Sequence, residues 1–399
     1  MTHRPIYLDN HATTRVDLRV LSAMLPYFTE SYGNAASINH VFGDEARTAV
    51  EHARQQVAAL IHTDPRGVVF TSGATEANNL AIKGLVQPAL RSGQQPHVVT
   101  NLAEHRSVLE PLRRLERAGA AVTWLPVDRF GQVSIEHVAA ALRPETLLVS
   151  VMAANNEVGT LNPIAEIGAL CRERGILFHC DAVQAAGKVP VDFVAAQCDL
   201  LSVSAHKLYG PKGVGALVVR KGSKAARLEP LLDGGGHEFH LRSGTLPVPL
   251  IVGFGLACEL AQAELASEAA RLSQWRDELW GRLSSKFPQL MLNGHPTQRL
   301  PGNLNFSVPG VDGEVLMNSM KEIAVSSGSA CTSADPEPSH VLRAMGRTDQ
   351  LTRASLRFGL GRFTTADEID FAATYVIKTL ECFGLGTAPT LTPEHRLMD

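Results

Sequence analysis

Residues 146–181 read TLLVSVMAANNEVGTLNPIAEIGALCRERGILFHCD, and this stretch decides the fold. Two short apolar, β-branched runs, TLLVSVMA and ILFHCD, enclose PIAEIGALCRERG, whose apolar residues recur at helical spacing. Strand, helix and strand in that order make a unit whose two strands lie parallel. The runs are apolar throughout rather than alternating, as strands covered on both faces are. Outward from this unit the pattern repeats between about Pro65 and Arg220, with GVVF before ATEANNLAIKGL, HVVTN before HRSVLEPLRRLERAG, then LLSVSA and VGALVVR. The fold class is therefore α/β with a mainly parallel sheet. Ligands of such sheets gather where the strands end.

Beyond about Pro247 the texture changes. A long helical stretch, ACELAQAELASEAARLSQWRDELWGRLSSKF, leads into strand-like LNFSV and IAVSSG and a closing helix around ADEIDFAATYVIKTL. Two domains are expected: residues 15–260 as the large one, and 1–14 with 261–399 as a small α+β domain. The length of 399 residues suits two cores better than one.

The balance of 37 basic and 40 acidic side chains, net −3, supplies no positive field for a phosphate backbone, so no nucleic acid and no anionic membrane are expected as partners. MTHRPIYLDN has no apolar leader, and the longest apolar stretch, about Leu246 to Cys258, is short and carries Pro and Gly, so a cytoplasmic location is expected. The six cysteines form no C-x-x-C pair and no metal-ligand spacing.

The residues just after the strands are polar: Ser72-Gly73-Ala74-Thr75, His105, Asn155-Asn156-Glu157, Asp181 with Gln184, and Ser204-Ala205-His206-Lys207. All fall at one edge of the expected sheet. The TSGATEAN turn runs into a helix N-terminus that suits a phosphate, or it is a helix start capped by Ser72 or Thr75. Ser204 and His206 would add phosphate ligands from another strand. Asp181 follows an apolar run, so a buried carboxylate there needs a cation, either an arginine or a protonated heterocyclic nitrogen. Lys207, set among these groups, is placed as the amine partner of pyridoxal phosphate would be; Lys212 reads as an ordinary surface charge.

Cys331 stands apart. Its surroundings, VSSGSACTSADPEPSH (325–340), offer no apolar face to bury it, so its thiol is expected on an exposed loop where it can ionise and react. Cys171, Cys180 and Cys258 read as small buried hydrophobes.

Together, YLDNHATT, TSGATEANN, AEHRSV, NNEVG, HCDAVQAAGK, SAHKLYGPKGVGAL, GGGHE, RSGTLP, SSGSACTSA and RFGLGRFTT resemble the cysteine desulfurases, a class V branch of the pyridoxal-phosphate aminotransferase superfamily. The likeness runs from about Tyr7 to Leu380. It implies fold type I, with a seven-stranded large domain, a small C-terminal domain carrying the catalytic cysteine loop, and a homodimer with sites at the subunit interface. By the same resemblance Lys207 holds pyridoxal 5'-phosphate, Asp181 meets its ring nitrogen and His105 stacks on the ring and exchanges protons with substrate. Gln184 and Asn155 serve the ring oxygen, and Ala74, Thr75, Ser204 and His206 the phosphate, with Thr245 reaching it from the neighbouring subunit. Arg357 and Asn34 receive the substrate carboxylate. Cys331 takes the sulfur of L-cysteine as a persulfide, leaving L-alanine, and passes it to a sulfur acceptor or iron–sulfur scaffold protein, for cluster assembly or tRNA thiolation. No resident metal is implied, although Cys331 could transiently ligate a cluster. Two features depart from relatives: GNAAS (33–37) lacks a proline after Gly-Asn, and the tail ends TPEHRLMD. A selenocysteine lyase or another class V lyase is the alternative, and a non-catalytic sulfur-relay protein a further one.

Overall fold

The computed structural model describes residues 4–327 and 338–385, apart from the side chain of Ala226. A two-residue strand, β1 (Ile6–Tyr7), lies near the start. Seven strands then make the main sheet: β2 (Val68–Thr71), β3 (His97–Asn101), β4 (Ala121–Leu125), β5 (Thr146–Ser150), β6 (Leu177–Asp181), β7 (Leu200–Ser204) and β8 (Gly215–Val219). Their order is β2-β8-β7-β6-β5-β3-β4. Only β8 runs against its neighbours, β2 and β7; the others are parallel, as the 146–181 stretch requires.

Successive residues of each strand enter opposite apolar clusters, which is why no alternation with polar residues was visible. Val99, Val149, Phe178 and Leu201 pack with the helices Val41–Leu60, Ile164–Glu173 and the first half of Val248–Lys286. Their neighbours Val98, Leu148, Leu177 and Leu200 pack with the helices Ala74–Arg91 and Arg106–Arg117. Each such side chain removed from water contributes about 1.5–3 kcal/mol.

A separate core follows. β9 (Met291–Asn293), β10 (Asn303–Ser307), β11 (Ile323–Ala324) and β12 (Ser355–Gly359) complete the strands, with β12-β10-β9 antiparallel and β1 paired in parallel with β11. Phe287, Phe306, Phe358 and Val376 centre this core. The 39-residue helix Val248–Lys286 belongs to both: Ile251, Phe254 and Ala257 join the first core, Leu279 and Leu283 the second. By length and composition it is the one described helix that could cross a membrane, yet these residues are packed inside the protein.

The fold brings three chain segments to one edge of the sheet. Thr71, ending β2, and Ser204, ending β7, both pair with Gly215 at the start of β8. A Cβ at Gly215 would lie 2.8 Å from the Gly73 Cα, so only glycine lets the turn after β2 approach this closely.

Candidate active site

At this edge opens a cavity of about 530 Å³ whose lining includes Ala74, Thr75, His105, Asp181, Gln184, Ser204, His206, Lys207 and Arg357. Residues scattered over 284 positions of sequence, from Ala74 to Arg357, thus line one cavity. Lys207 sits in a short 3-10 turn after β7, and its Nζ donates to the carbonyls of His11 and, at 2.7 Å, Ala12. Asp181 ends β6. Its Oδ1 accepts from the Val183 N–H at 3.0 Å and its Oδ2 from Asn78 Nδ2 at 2.7 Å. Among the described residues no arginine or lysine forms an ion pair with it, so of the two cations open to this carboxylate the arginine is not the one supplied.

The helix Ala74–Arg91 begins at Gly73, φ 149°, with no side-chain cap. Neither Ser72 nor Thr75 caps it, and Gly73, Ala74 and Thr75 of this first turn line the cavity. His206 also lines the cavity, with Nδ1 3.1 Å from Thr13 Oγ1; burial, with Lys207 and Lys212 adding, pushes its pKa down to about 4 and keeps the ring neutral near pH 7. Lys212 is exposed, as expected of a surface lysine, but also borders the cavity.

His105 is the N-cap of the helix Arg106–Arg117, its Nδ1 accepting from the Ser107 N–H at 3.1 Å. Burial pushes its pKa below the ordinary value, against an opposing pull from Asp181. The preceding Glu104 is fully buried; its Oε1 accepts from the Met152 N–H at 2.7 Å, and burial pushes its carboxyl up to about 8, so it is neutral at pH 7. Gln184 donates from Nε2 to the His11 carbonyl at 2.9 Å and accepts at Oε1 from Lys188 Nζ at 3.0 Å.

Arg357, on β12, is buried against Asp9 and Asn156: one terminal nitrogen donates to Asp9 Oδ1 at 2.8 Å, the other to the Asn156 carbonyl at 3.0 Å. Its Nε–H is buried with no partner.

Three expected residues lie elsewhere. Asn155 is outside the cavity, because its amide is used up locally: Oδ1 accepts from the Glu157 and Val158 N–H groups and Nδ2 donates to the Ala103 carbonyl. The adjacent Asn156 lines the cavity in its place, with a buried, unpartnered Oδ1. Asn34 is exposed and outside the cavity; its Oδ1 accepts from the Ala36 N–H at 2.9 Å, closing its own turn. Thr245 is exposed and does not line its own chain's cavity. Cys331 lies outside the described residues. His11, Thr13 and Met152 line the cavity without having been singled out. Of these, His11 and Thr13 stood in the quoted YLDNHATT motif, and that segment is the signal that could have found them.

Residues 6–371 match the aminotransferase class-V family. The chain belongs to this family. It is 55% identical to the cysteine desulfurase IscS of Anaeromyxobacter dehalogenans (strain 2CP-C), over 92% of this chain and 90% of that protein. Among solved structures, a NifS-like protein superposes with a TM-score of 0.87 at 36% identity, covering 95% of this chain and all of the other. SspA in complex with cysteine superposes at 0.80 with 35% identity, covering 90% and all of the other. Class-V aminotransferases of the desulfurase kind are pyridoxal-phosphate enzymes, and the α/β architecture above is theirs.

Proposed function

We propose that this chain, a cysteine desulfurase of the class-V family, uses the cavity at the ends of β2, β6 and β7 to hold pyridoxal 5'-phosphate and remove sulfur from L-cysteine. The single observation that carries this reading is that Lys207 lines one cavity with an Asp181 carboxylate that, among the described residues, pairs with no arginine or lysine. The cavity fits the cofactor at three further points: an N-terminus without a side-chain cap for the phosphate, flanked by Ser204 and His206; a buried Asn156 Oδ1 with no partner; and His105 on the wall. When bound, pyridoxal phosphate supplies an aldehyde for an amine and a ring that accepts electrons from the substrate's Cα.

The chain's own groups divide the remaining work. Asp181 holds a proton on the nitrogen that faces it, because its negative charge stabilises a cation there. The Lys207 amine takes the Cα proton of the substrate. Arg357 binds the substrate carboxylate, with a free Nε–H and further terminal N–H donors beyond those given to Asp9 and Asn156. The Cys331 thiolate attacks the substrate sulfur, so that L-cysteine and the Cys331 thiol become L-alanine and a Cys331 persulfide.

The same reading includes a homodimer, in which Thr245 of each chain reaches the partner's cavity; its exposure outside its own cavity supports this, as do the exposed Leu18, Leu21, Leu25 and Phe28. Sulfur leaves for an acceptor or iron–sulfur scaffold protein, as the name of the Anaeromyxobacter relative suggests. Buried free thiols at Cys171, Cys180, Cys198 and Cys258 suit a reducing compartment, the cytoplasm.

The test is direct. Protein loaded with pyridoxal phosphate and given L-cysteine should release alanine, and mass spectrometry should find one added sulfur on the Cys331 peptide. Alanine formed at the parental rate by Cys331→Ser would remove Cys331 from the reaction.

A further inference from the structure

Asn78 lies in the helix Ala74–Arg91, three residues beyond Thr75, and has no exposed surface. Its Nδ2 carries two protons. One goes to Asp181 Oδ2 at 2.7 Å, the other to Ser107 Oγ at 2.8 Å. The orientation of the amide is fixed by this pairing, since the reverse placement would set its oxygen against a carboxylate oxygen. Its own Oδ1 is buried with no partner, an arrangement that costs about 1–3 kcal/mol and that a leucine would avoid.

Ser107 Oγ, having accepted from Asn78, stands 2.7 Å from His105 Nδ1. The Ser107 backbone N–H converges on the same nitrogen at 3.1 Å. A backbone N–H can only donate, so Nδ1 is the lone-pair nitrogen of the neutral ring, the Ser107 hydroxyl donates to it as well, and the ring proton stands on Nε2.

We propose that Asn78 and Ser107 are positioning residues that couple the Asp181 carboxylate to the His105 ring and fix the ring's proton on Nε2. In this chain, then, neutral His105 is a hydrogen-bond donor at Nε2. It can donate to an anionic sulfur, and it cannot accept the thiol proton of a substrate at that nitrogen unless it first gives up its own. Asn78 also holds the plane of the Asp181 carboxylate together with the Val183 N–H. The catalytic consequence rests on the function proposed above; the tautomer itself does not.

The experiment is nitrogen NMR of the full-length protein, without cofactor, carrying 15N-labelled histidine, with the His105 signals assigned by their loss in His105→Gln. Wild type should show a protonated Nε2 and an unprotonated Nδ1. Ser107→Ala should shift the tautomer ratio by about fivefold, the effect of one neutral hydrogen bond, and Ser107→Thr should restore it. Asn78→Leu should move the ratio in the same direction and also weaken pyridoxal phosphate binding; should that variant not fold, the two Ser107 variants decide. A wild-type ring protonated on Nδ1, or a Ser107→Ala ratio equal to wild type, overturns the proposal. The expected tautomer in a protein that binds no pyridoxal phosphate would instead leave this inference standing and remove the proposed function.

Discussion

The two sides of the cavity are built differently. On one side Asp181, Ser204, His206 and Lys207 stand at or within three residues of the ends of β6 and β7, in a single sheet buried on both faces. On the other, Arg357 comes from β12 in the second core and meets Asp9, 348 residues away, and the Asn156 carbonyl. The first side is positioned by the sheet that makes the fold. The second exists only because two cores meet across it.

The largest effect should come from the sheet side. Lys207→Ala is expected to lower alanine formation by at least about 10³-fold, measured on protein incubated with pyridoxal phosphate and L-cysteine, while far-UV circular dichroism stays unchanged. Parental turnover would break the division of labour between the two sides. A smaller, differently signed effect belongs to the second side: Arg357→Lys replaces a fork spanning Asp9 and Asn156 with a point charge. We expect KM for L-cysteine to rise by roughly 10–100-fold, with kcat changed much less; a fall in kcat alone would mean that Arg357 serves chemistry instead of binding.

A third effect is one of stability and lies beneath His105. Glu104 is neutral in the fold up to about pH 8, whereas an unfolded glutamate ionises near its ordinary value. Between those values the folded state holds a proton that the unfolded state has lost. Stability from this group is therefore full at acid pH and declines as pH rises, by roughly 1.4 kcal/mol per pH unit until the folded carboxyl itself ionises. Glu104→Gln keeps the acceptor used by Met152 and should flatten this slope in urea unfolding at pH 5 and pH 8. An unaltered slope would show that the carboxyl is ionised in the fold.

The same contrast explains what the sequence made legible. Asp181 and Lys207 could be found because a strand end follows an apolar run, and that pattern is local. Asn155 and Asn156 could not be told apart: they are adjacent and identical, and only the turn that spends the Asn155 amide on backbone groups directs the other to the cavity. The Asp9–Arg357 pair has no local signature, because its partners come from opposite ends of the chain. Asn34 was placed by resemblance alone, and its side chain serves its own turn here. Asn78 and Ser107 were also hidden, since a helical asparagine and a serine after a histidine carry no pattern until the helix packing joins them.

The rod formed by Val248–Lys286 is anchored at one end among Ile251 and Phe254 and at the other among Leu279 and Leu283. Such an axle transmits strain: neither hydrophobic cluster can melt without pulling on a segment that the other grips. A single calorimetric transition, rather than two, is the thermal signature that this shared spine imposes.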